Sequence, residues 1–386
     1  MIDINDFDNL NDDAKIALAK LLKKDDDTRL WAVGEHDELK LGFRIIKHFS
    51  SDKPRDGIPG PRVRYEVIDN EVFNDEGTYG KYYRCRYTLS FDNDGKLLVK
   101  KRQEGRIRLV KEQNIREKTA EHLKLMVSEA EAMQRSDTWH RLHDKPEIFH
   151  AKPMVQVDNK TYMIMRELPG VQLLKMIEDN ELTLQERLDL SIALLTALKE
   201  QVHDLGYVHR DIKPDNILVY KNGSQFEIYI IDFGFIKRKE YSDANAKMGS
   251  PPYAAPECYS TFNDKTEKTD IYAMGRTLMF LWGYRQLDHG RDKYDEACAP
   301  AFNNLFYKLD PKPGCHRELK IIFENMCQLI MSQRPDLADL LEQFEGLRAT
   351  LEPNSVFTPT AHDGIFKFDE EEDDYGGYLG FGNGIE

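Results

Sequence analysis

The chain has 386 residues, carries a formal net charge of −14, and is 40% apolar and 32% charged. This length allows more than one compact unit, and the apolar share suffices for a buried core. The acidity disfavours nonspecific binding to nucleic acid, which depends on Lys and Arg neutralising phosphates. No run of about 18 apolar residues occurs, so no spanning helix is expected, and the acidic start Met1-Ile2-Asp3-Ile4-Asn5-Asp6 is unlike a secretory leader. Five cysteines, an odd number without paired spacing, point to reduced thiols in a cytosol-like compartment and away from a zinc site.

In chain order, Asp12 to Lys24 carries Ile16, Leu18, Leu21 and Leu22 among charges, which predicts an amphipathic helix capped by Asn11 or Asp12 and ended by Asp25-Asp26-Asp27. Leu39, Leu41, Phe43 and Ile45 alternate as in a strand, and a Pro/Gly-rich linker runs from Lys53 to Pro61. Residues 1–63 are therefore expected as an N-terminal extension. The stretch Asp75-Glu76-Gly77-Thr78-Tyr79-Gly80-Lys81-Tyr82 reads as a strand, a glycine turn and a second strand. Gly77 and Gly80 lack a Cβ, so backbone N–H groups there can approach phosphate oxygens.

Leu97-Leu98-Val99-Lys100 is an apolar strand ending on a lysine, with Lys101 as the alternative one register away. Arg102 to Lys124 is highly charged and is expected to add a helical element. A helix containing Glu129-Ala130-Glu131-Ala132-Met133 follows. His140, His143 and His150 have no cysteine nearby and read as surface or loop residues. Thr161 to Met165 forms an apolar strand that ends in the Pro169-Gly170 turn, and Ser191 to Leu198 is an apolar helix too short to span a membrane.

Val208-His209-Arg210-Asp211-Ile212-Lys213-Pro214-Asp215-Asn216 and then Ile231-Asp232-Phe233-Gly234 place a proton acceptor, a cation and two oxygen donors for a metal in fixed order, 16 residues separating Asn216 from Asp232 (232 − 216). Asn216 to Val219 and Ile228 to Ile231 frame the segment as a β-pair around Lys221-Asn222-Gly223. Downstream lie Gly249-Ser250-Pro251-Pro252-Tyr253-Ala254-Ala255-Pro256-Glu257, Asp270-Ile271-Tyr272-Ala273-Met274-Gly275 and Ser332-Gln333-Arg334-Pro335-Asp336.

Together these motifs resemble those of the eukaryotic-type protein kinase family, in its Ser/Thr branch, because Lys213 follows Asp211 by two residues. The resemblance covers about 64–350 and implies an α+β, two-lobed kinase-like fold. It comprises a small antiparallel β-sheet lobe with one helix (64–168) and a larger, mainly helical lobe (169–350), with 351–386 as an acidic, Gly-rich tail. It also implies transfer of the γ-phosphate of ATP to a protein hydroxyl with Mg²⁺, or Mn²⁺, as the metal. Asp211 is then the base and Lys213 the cation at the γ-phosphate, with Asn216 and Asp232 as metal ligands. Gly77 and Gly80 cover the phosphates. Lys100, with Lys101 as alternative, contacts the α- and β-phosphates and pairs with Glu129, or Glu131 as fallback. Met165 guards the back of the adenine pocket, and Arg166 to Leu168 offer backbone groups to adenine. Glu257 pairs with Arg334, Ser250 touches the base and the lysine, and Asp270 caps the catalytic loop.

The sequence departs from the family at Asp75, where the first glycine is expected, and at Leu98 and Tyr82, which replace small residues above adenine. Tyr241 and Ser242 are the phosphorylatable residues between Gly234 and Gly249, and Ala246 stands four before Ser250. Loop phosphorylation is accordingly expected to be dispensable, with Asp243 or Glu240 as a fixed charge. The tail Asp369-Glu370-Glu371-Glu372-Asp373-Asp374 and the N-terminal extension are the candidates for holding a regulatory partner. A pseudokinase acting by protein binding is the alternative reading. The divergent small lobe and acidic ends resemble, in style, kinases that bacteria deliver into host cells; a cytosolic eukaryotic kinase is equally compatible.

Overall fold

The computed structural model describes residues 1–37, 39–49, 63–74, 80–115, 120–179, 182–241, 248–259, 264–282 and 313–350. The Lys53 to Pro61 linker, Gly77, Ser242, Asp243 and the acidic tail lie outside them. Among the described residues the strands are β1 Leu30–Trp31, β2 Gly34–His36, β3 Leu39–Leu41, β4 Arg44–Phe49, β5 Val63–Ile68, β6 Val72–Asn74, β7 Lys81–Cys85, β8 Tyr87–Phe91, β9 Leu97–Lys101, β10 Arg108–Asn114, β11 Val155–Val157, β12 Lys160–Arg166, β13 Val171–Gln172, β14 Tyr207–Val208, β15 Ile217–Asn222, β16 Gln225–Ile230 and β17 Lys237–Arg238. The α-helices are α1 Asp12–Lys23, α2 Ala120–Leu142, α3 Leu173–Asp179, α4 Leu184–Leu198, α5 Glu267–Leu281, α6 Pro313–Met326 and α7 Leu337–Thr350.

The chain divides into two compact units, Met1–Gly170 with Ile231–Ile236, and Val171–Ile230 with Lys237–Glu386. The first unit holds two five-stranded antiparallel sheets, in the orders β1-β4-β5-β8-β9 and β11-β12-β10-β7-β6. A single residue, Arg86, separates β7 in one sheet from β8 in the other. From residues 1–63, β1 and β4 complete a sheet whose other strands come from further along the chain. Helix α1, capped by the Asn11 side chain accepting from the Ala14 N–H at 2.8 Å, covers this sheet. Leu18 and Leu22 pack there with Phe7, Trp31, Phe43, Tyr65 and Leu89, removing a continuous apolar face from water.

Beneath that face one carboxylate is wholly buried. Glu66 accepts from Arg102 at 2.6 and 3.2 Å and bonds His48 Nε2 at 3.0 Å. Burial alone would push the Glu66 pKa up, but these partners outweigh it and hold the group at about 2.

The highly charged stretch after Arg102 was expected to be helical; it contains β10, the central strand of the second sheet. Leu109 to Gln113 are all buried, including Lys111, Glu112 and Gln113. Paired along its edges with β7 and β12 and buried at five consecutive residues, this strand is covered on both faces, so its sequence shows no simple alternation of apolar and polar residues. His140, expected at the surface, is buried in α2, where its Nδ1 bonds the Ser136 carbonyl.

In the second unit β15 and β16 form the expected hairpin, with Asn222 opposite Gln225, and β13 adds a third strand. Helix α5 is buried on every side from Thr269 to Leu281, as expected of a helix at the centre of a helical unit. Thr266 and Thr269 supply its capping box.

Candidate active site

The first unit builds a charged cluster around Lys111. In β10, Lys111 lies opposite Tyr82 of β7 and Met163 of β12. Its Nζ donates to Glu129 Oε1 at 2.6 Å and lies 3.7 Å from Asp232 Oδ1. Burial opposes the lysine's charge, but Glu129, Tyr82 and Asp232 outweigh it and hold its pKa well above the ordinary lysine value. Glu129 reaches this position because α2 turns Met126, Ala130 and Met133 into the core on the same side. Glu131 is exposed.

The lysine paired with Glu129 is thus Lys111, and the expected pairing with Lys100 is corrected. Lys100 lies on β9, in the other sheet, opposite Thr88, and is exposed together with its neighbour Leu98. Lys101, the register alternative on the same strand, bonds Asp8 at 2.7 Å. The tripeptide Leu-Val-Lys occurs at both 98–100 and 109–111, and only the second copy lies in the strand between β7 and β12. With Lys111 the spacing to Glu129 is 18 residues (129 − 111), which removes any need for an extra helix. The small residue expected two positions before the lysine is then Leu109, not Leu98, so a bulky side chain stands there in either register.

Asp232 sits in left-handed backbone at φ 61°, where its side chain accepts from the Gly234 N–H at 3.4 Å. Phe233 is buried edge-on against Phe149, with centroids 5.3 Å apart, and this anchors the turn that presents Asp232. Gly80, at φ 154°, immediately precedes β7, and a Cβ there would stand 2.7 Å from the Glu112 carbonyl oxygen. Only glycine lets the backbone at this position come so close to β10. Met165 is buried at the end of β12, opposite Leu109. Beyond it the Glu167 N–H bonds the Ile107 carbonyl, and Arg84 clamps the Glu167 carboxylate, fixing the path of Arg166 to Leu168.

The second unit builds its own cluster around Asp211. Ser250 donates to Asp211 Oδ1 from both its backbone N–H at 3.0 Å and its hydroxyl at 2.9 Å. Asn216 Nδ2 donates to the other oxygen at 3.0 Å and to the Asp211 carbonyl at 2.9 Å. Lys213 Nζ lies 3.4 Å from Asp211 Oδ2 and donates to the Ser250 hydroxyl at 2.7 Å. Because the Asn216 amide nitrogen is engaged, its carbonyl oxygen is the atom left to meet a hard cation.

The loop carrying these groups is held from below. Asp270, fully buried on α5, accepts from the His209 and Arg210 N–H groups at 2.8 Å each and bonds His203 Nε2 at 3.1 Å. Burial raises the Asp270 pKa, but the His203 hydrogen bond, the nearby His203 and His209 rings and the Arg210 N–H outweigh it and leave it below the ordinary aspartate range. The expected pair Glu257–Arg334 forms with two buried contacts of 2.6 and 2.8 Å. Lys237, just past the Asp232 turn in sequence, bonds Asp264 at 2.6 Å and the Lys265 carbonyl. Sequence reasoning did not single out this pair, because Asp264 belongs to no motif.

A family model described as "Protein kinase domain" matches residues 95–344. The chain is 31% identical over 206 residues to citron rho-interacting kinase of Rattus norvegicus, covering 50% of this chain and 9% of that protein. It is 29% identical over 150 residues to the serine/threonine-protein kinase AfsK of Streptomyces coelicolor, covering 37% and 17% respectively. It is 25% identical over 273 residues to CBL-interacting serine/threonine-protein kinase 15 of Arabidopsis thaliana, covering 65% of this chain and 58% of that protein. The chain belongs to the protein kinase domain family, and its two units carry the β-rich and mainly helical halves of that fold. Its match spans less than a tenth of the citron kinases' length.

Proposed function

We propose that this chain is an active Ser/Thr protein kinase that transfers the γ-phosphate of Mg-ATP to a protein hydroxyl. The observation that carries the reading is the Asp211 carboxylate. Both of its oxygens are held by donors from Ser250 and Asn216, with Lys213 beside it, so a base and a cation are aimed before any substrate arrives. Asp211 would orient the acceptor hydroxyl and take its proton. Lys213 would neutralise the charge that develops on the transferred phosphoryl group.

Lys111 takes the role first expected of Lys100, gripping the α- and β-phosphates while Glu129 fixes its position. Gly80, with Gly77, would bring backbone N–H groups over the phosphates, Met165 would close the back of the adenine pocket, and Arg166 to Leu168 would supply its backbone partners. The oxygen donors of Asp232 and Asn216 suit Mg²⁺ or Mn²⁺, which prefer hard oxygen ligands. Such an ion, when bound, supplies charge neutralisation at the phosphates.

The Lys237–Asp264 ion pair supports activity without loop phosphorylation, since a cation following the Asp232 turn is already met by a fixed carboxylate. The buried thiols Cys85, Cys258 and Cys327 support a reducing compartment. Among the described residues no helix is long and apolar enough to cross a membrane.

One observation favours the pseudokinase reading: Tyr82 and Leu109 occupy the first unit's site where the family carries small residues. Phosphorylation of the chain itself and of a basic protein, with labelled ATP and Mg²⁺, separates the two. Label incorporated by wild type and lost in Asp211→Ala supports the enzyme. Equal label in both, or none in either, overturns it.

A further inference from the structure

Strand β9 ends the first five-stranded sheet, and among the described residues it pairs with β8 alone. Of the four strands that end the two five-stranded sheets it is the longest, five residues against two in β1 and three each in β6 and β11. The Arg102 N–H donates to the Arg86 carbonyl at 2.7 Å, and the Lys96 carbonyl accepts from the Asp92 N–H at 3.0 Å. Lys96, Leu98, Lys100 and Arg102 thus turn their backbone groups toward β8, and Leu97, Val99 and Lys101 turn theirs to the outer edge. Among the described residues nothing pairs with that edge.

Side chains set the chemistry of the edge. Leu97 and Val99 pack into the core that α1 covers, which leaves Leu98 and Lys100 on the opposite face, where Leu98 is 41% exposed. Although the chain's net charge is −14, the segment from Lys96 to Arg102 carries four cations and no carboxylate. Asp8 answers Lys101 and Glu66 answers Arg102, but Lys96 and Lys100 have no carboxylate partner among the described residues. Lysines guard an edge against pairing with its own copy, since two β9 strands side by side would line one seam with like charges. An acidic strand meets the opposite condition, because its carboxylates answer the two unpaired lysines.

We propose that the outer edge of β9 is a docking site for an extended, acidic segment of a partner protein, which joins the sheet as a further strand. The segment's backbone bonds the outward N–H and C=O groups of Leu97, Val99 and Lys101, a mode in which main-chain hydrogen bonds give affinity and alternate side chains give specificity. On the exposed face it presents carboxylates to Lys96 and Lys100 and an apolar side chain to Leu98 between them. The inference is independent of whether the chain transfers phosphate.

The test uses the full chain and a labelled, end-capped peptide of alternating valine and glutamate, about eight residues long so that it spans a strand, with a valine–lysine peptide as control. Fluorescence anisotropy reads binding, and hydrogen exchange of the Leu97, Val99 and Lys101 amides reads backbone engagement. Wild type is expected to bind the glutamate peptide at least about tenfold more tightly than the lysine peptide, with those amides protected. The double variant Lys96→Glu/Lys100→Glu should reverse the preference. Val99→Pro removes one outward N–H, spares the ladder to β8, and should weaken binding about fivefold. Binding that leaves the three amides unprotected, or a preference that charge reversal does not change, overturns the proposal, as does failure of wild type to bind the glutamate peptide. A dimer in solution that Val99→Pro dissociates would make a second copy the occupant and overturn it too. Should Val99→Pro lack a cooperative melt, the charge-reversed variant decides.

Discussion

Lys111 Nζ and Glu129 Oε1 stand 2.6 Å apart with both side chains 1% exposed, joining the central strand of one sheet to the helix that covers it. An ion pair this deep is held by geometry and survives salt that would screen a surface pair. Lys111→Met is expected to lower phosphotransfer by about 100-fold or more, whereas Lys100→Met should stay within about twofold of wild type. Autophosphorylation rates of the two variants, side by side, check the assignment. Equal losses would restore Lys100 to the site.

Ser250 touches Asp211 through two donors and accepts from Lys213, so it is placed to hold the Asp211 carboxylate that we propose as the base. Ser250→Ala keeps the backbone donor and removes the hydroxyl. The expected result is about a tenfold fall in kcat, the scale of one hydrogen bond to a charged group, with KM for ATP unchanged. A rise in KM for ATP with kcat preserved would contradict that role.

Two contacts between Arg334 and Glu257, both buried, tie the segment ending in Pro256-Glu257 to the start of α7. Removing one partner of such a pair typically costs about 3–5 kcal/mol because the other charge is left buried. Arg334→Ala should therefore lower the melting temperature by about 10 °C. A shift under about 2 °C in a thermal melt would show the pair contributes little.

Glu66 gives a pH signature. Its folded pKa, about 2, lies below the ordinary 4.5, so the stability it contributes is fully present above about pH 4.5 and is lost as pH falls toward 2. The shift corresponds to about 3 kcal/mol. Glu66→Gln should be less stable than wild type at neutral pH, and denaturant titrations between pH 5 and pH 2.5 should show the gap narrowing. A gap that widened on acidification would reverse the sign of the argument.

Tyr241 is exposed, and Lys237 is already paired with Asp264. Replacing Tyr241 and Ser242 together by Phe and Ala is expected to leave activity within about twofold, while Asp264→Ala should reduce it. Peptide phosphorylation by protein that phosphatase has stripped provides the measurement. Loss of activity in the double variant would mean a loop phosphate is required.

The motifs around Asp211, Asp232, Glu257 and Asp270 were legible because they are contiguous and chemically unusual, and their spacing survives without knowledge of the fold. Lys111 was not. A strand buried on both faces loses the alternation that marks a half-exposed strand, and β10 opens with Arg108 and places Lys111, Glu112 and Gln113 in the interior. The exposed β9, with its second copy of Leu-Val-Lys, presented the more conventional apolar run. Strand partnership, not local composition, distinguishes the two lysines. For the same reason the sequence did not reveal that β1, β4, β5, β8 and β9 form one sheet, since long-range pairing leaves no local mark.

That interleaving limits how the protein can be cut. The family match begins at residue 95, after β8 and just before β9, so a fragment starting there would keep one edge strand and lose the four that complete its sheet. The buried carboxylate of Glu66 would go with them, leaving Arg102 with an unanswered charge. The family-matched portion and its N-terminal strands thus stand or fall together, and an exchange of either with another protein kinase domain at that boundary is expected to yield insoluble chains.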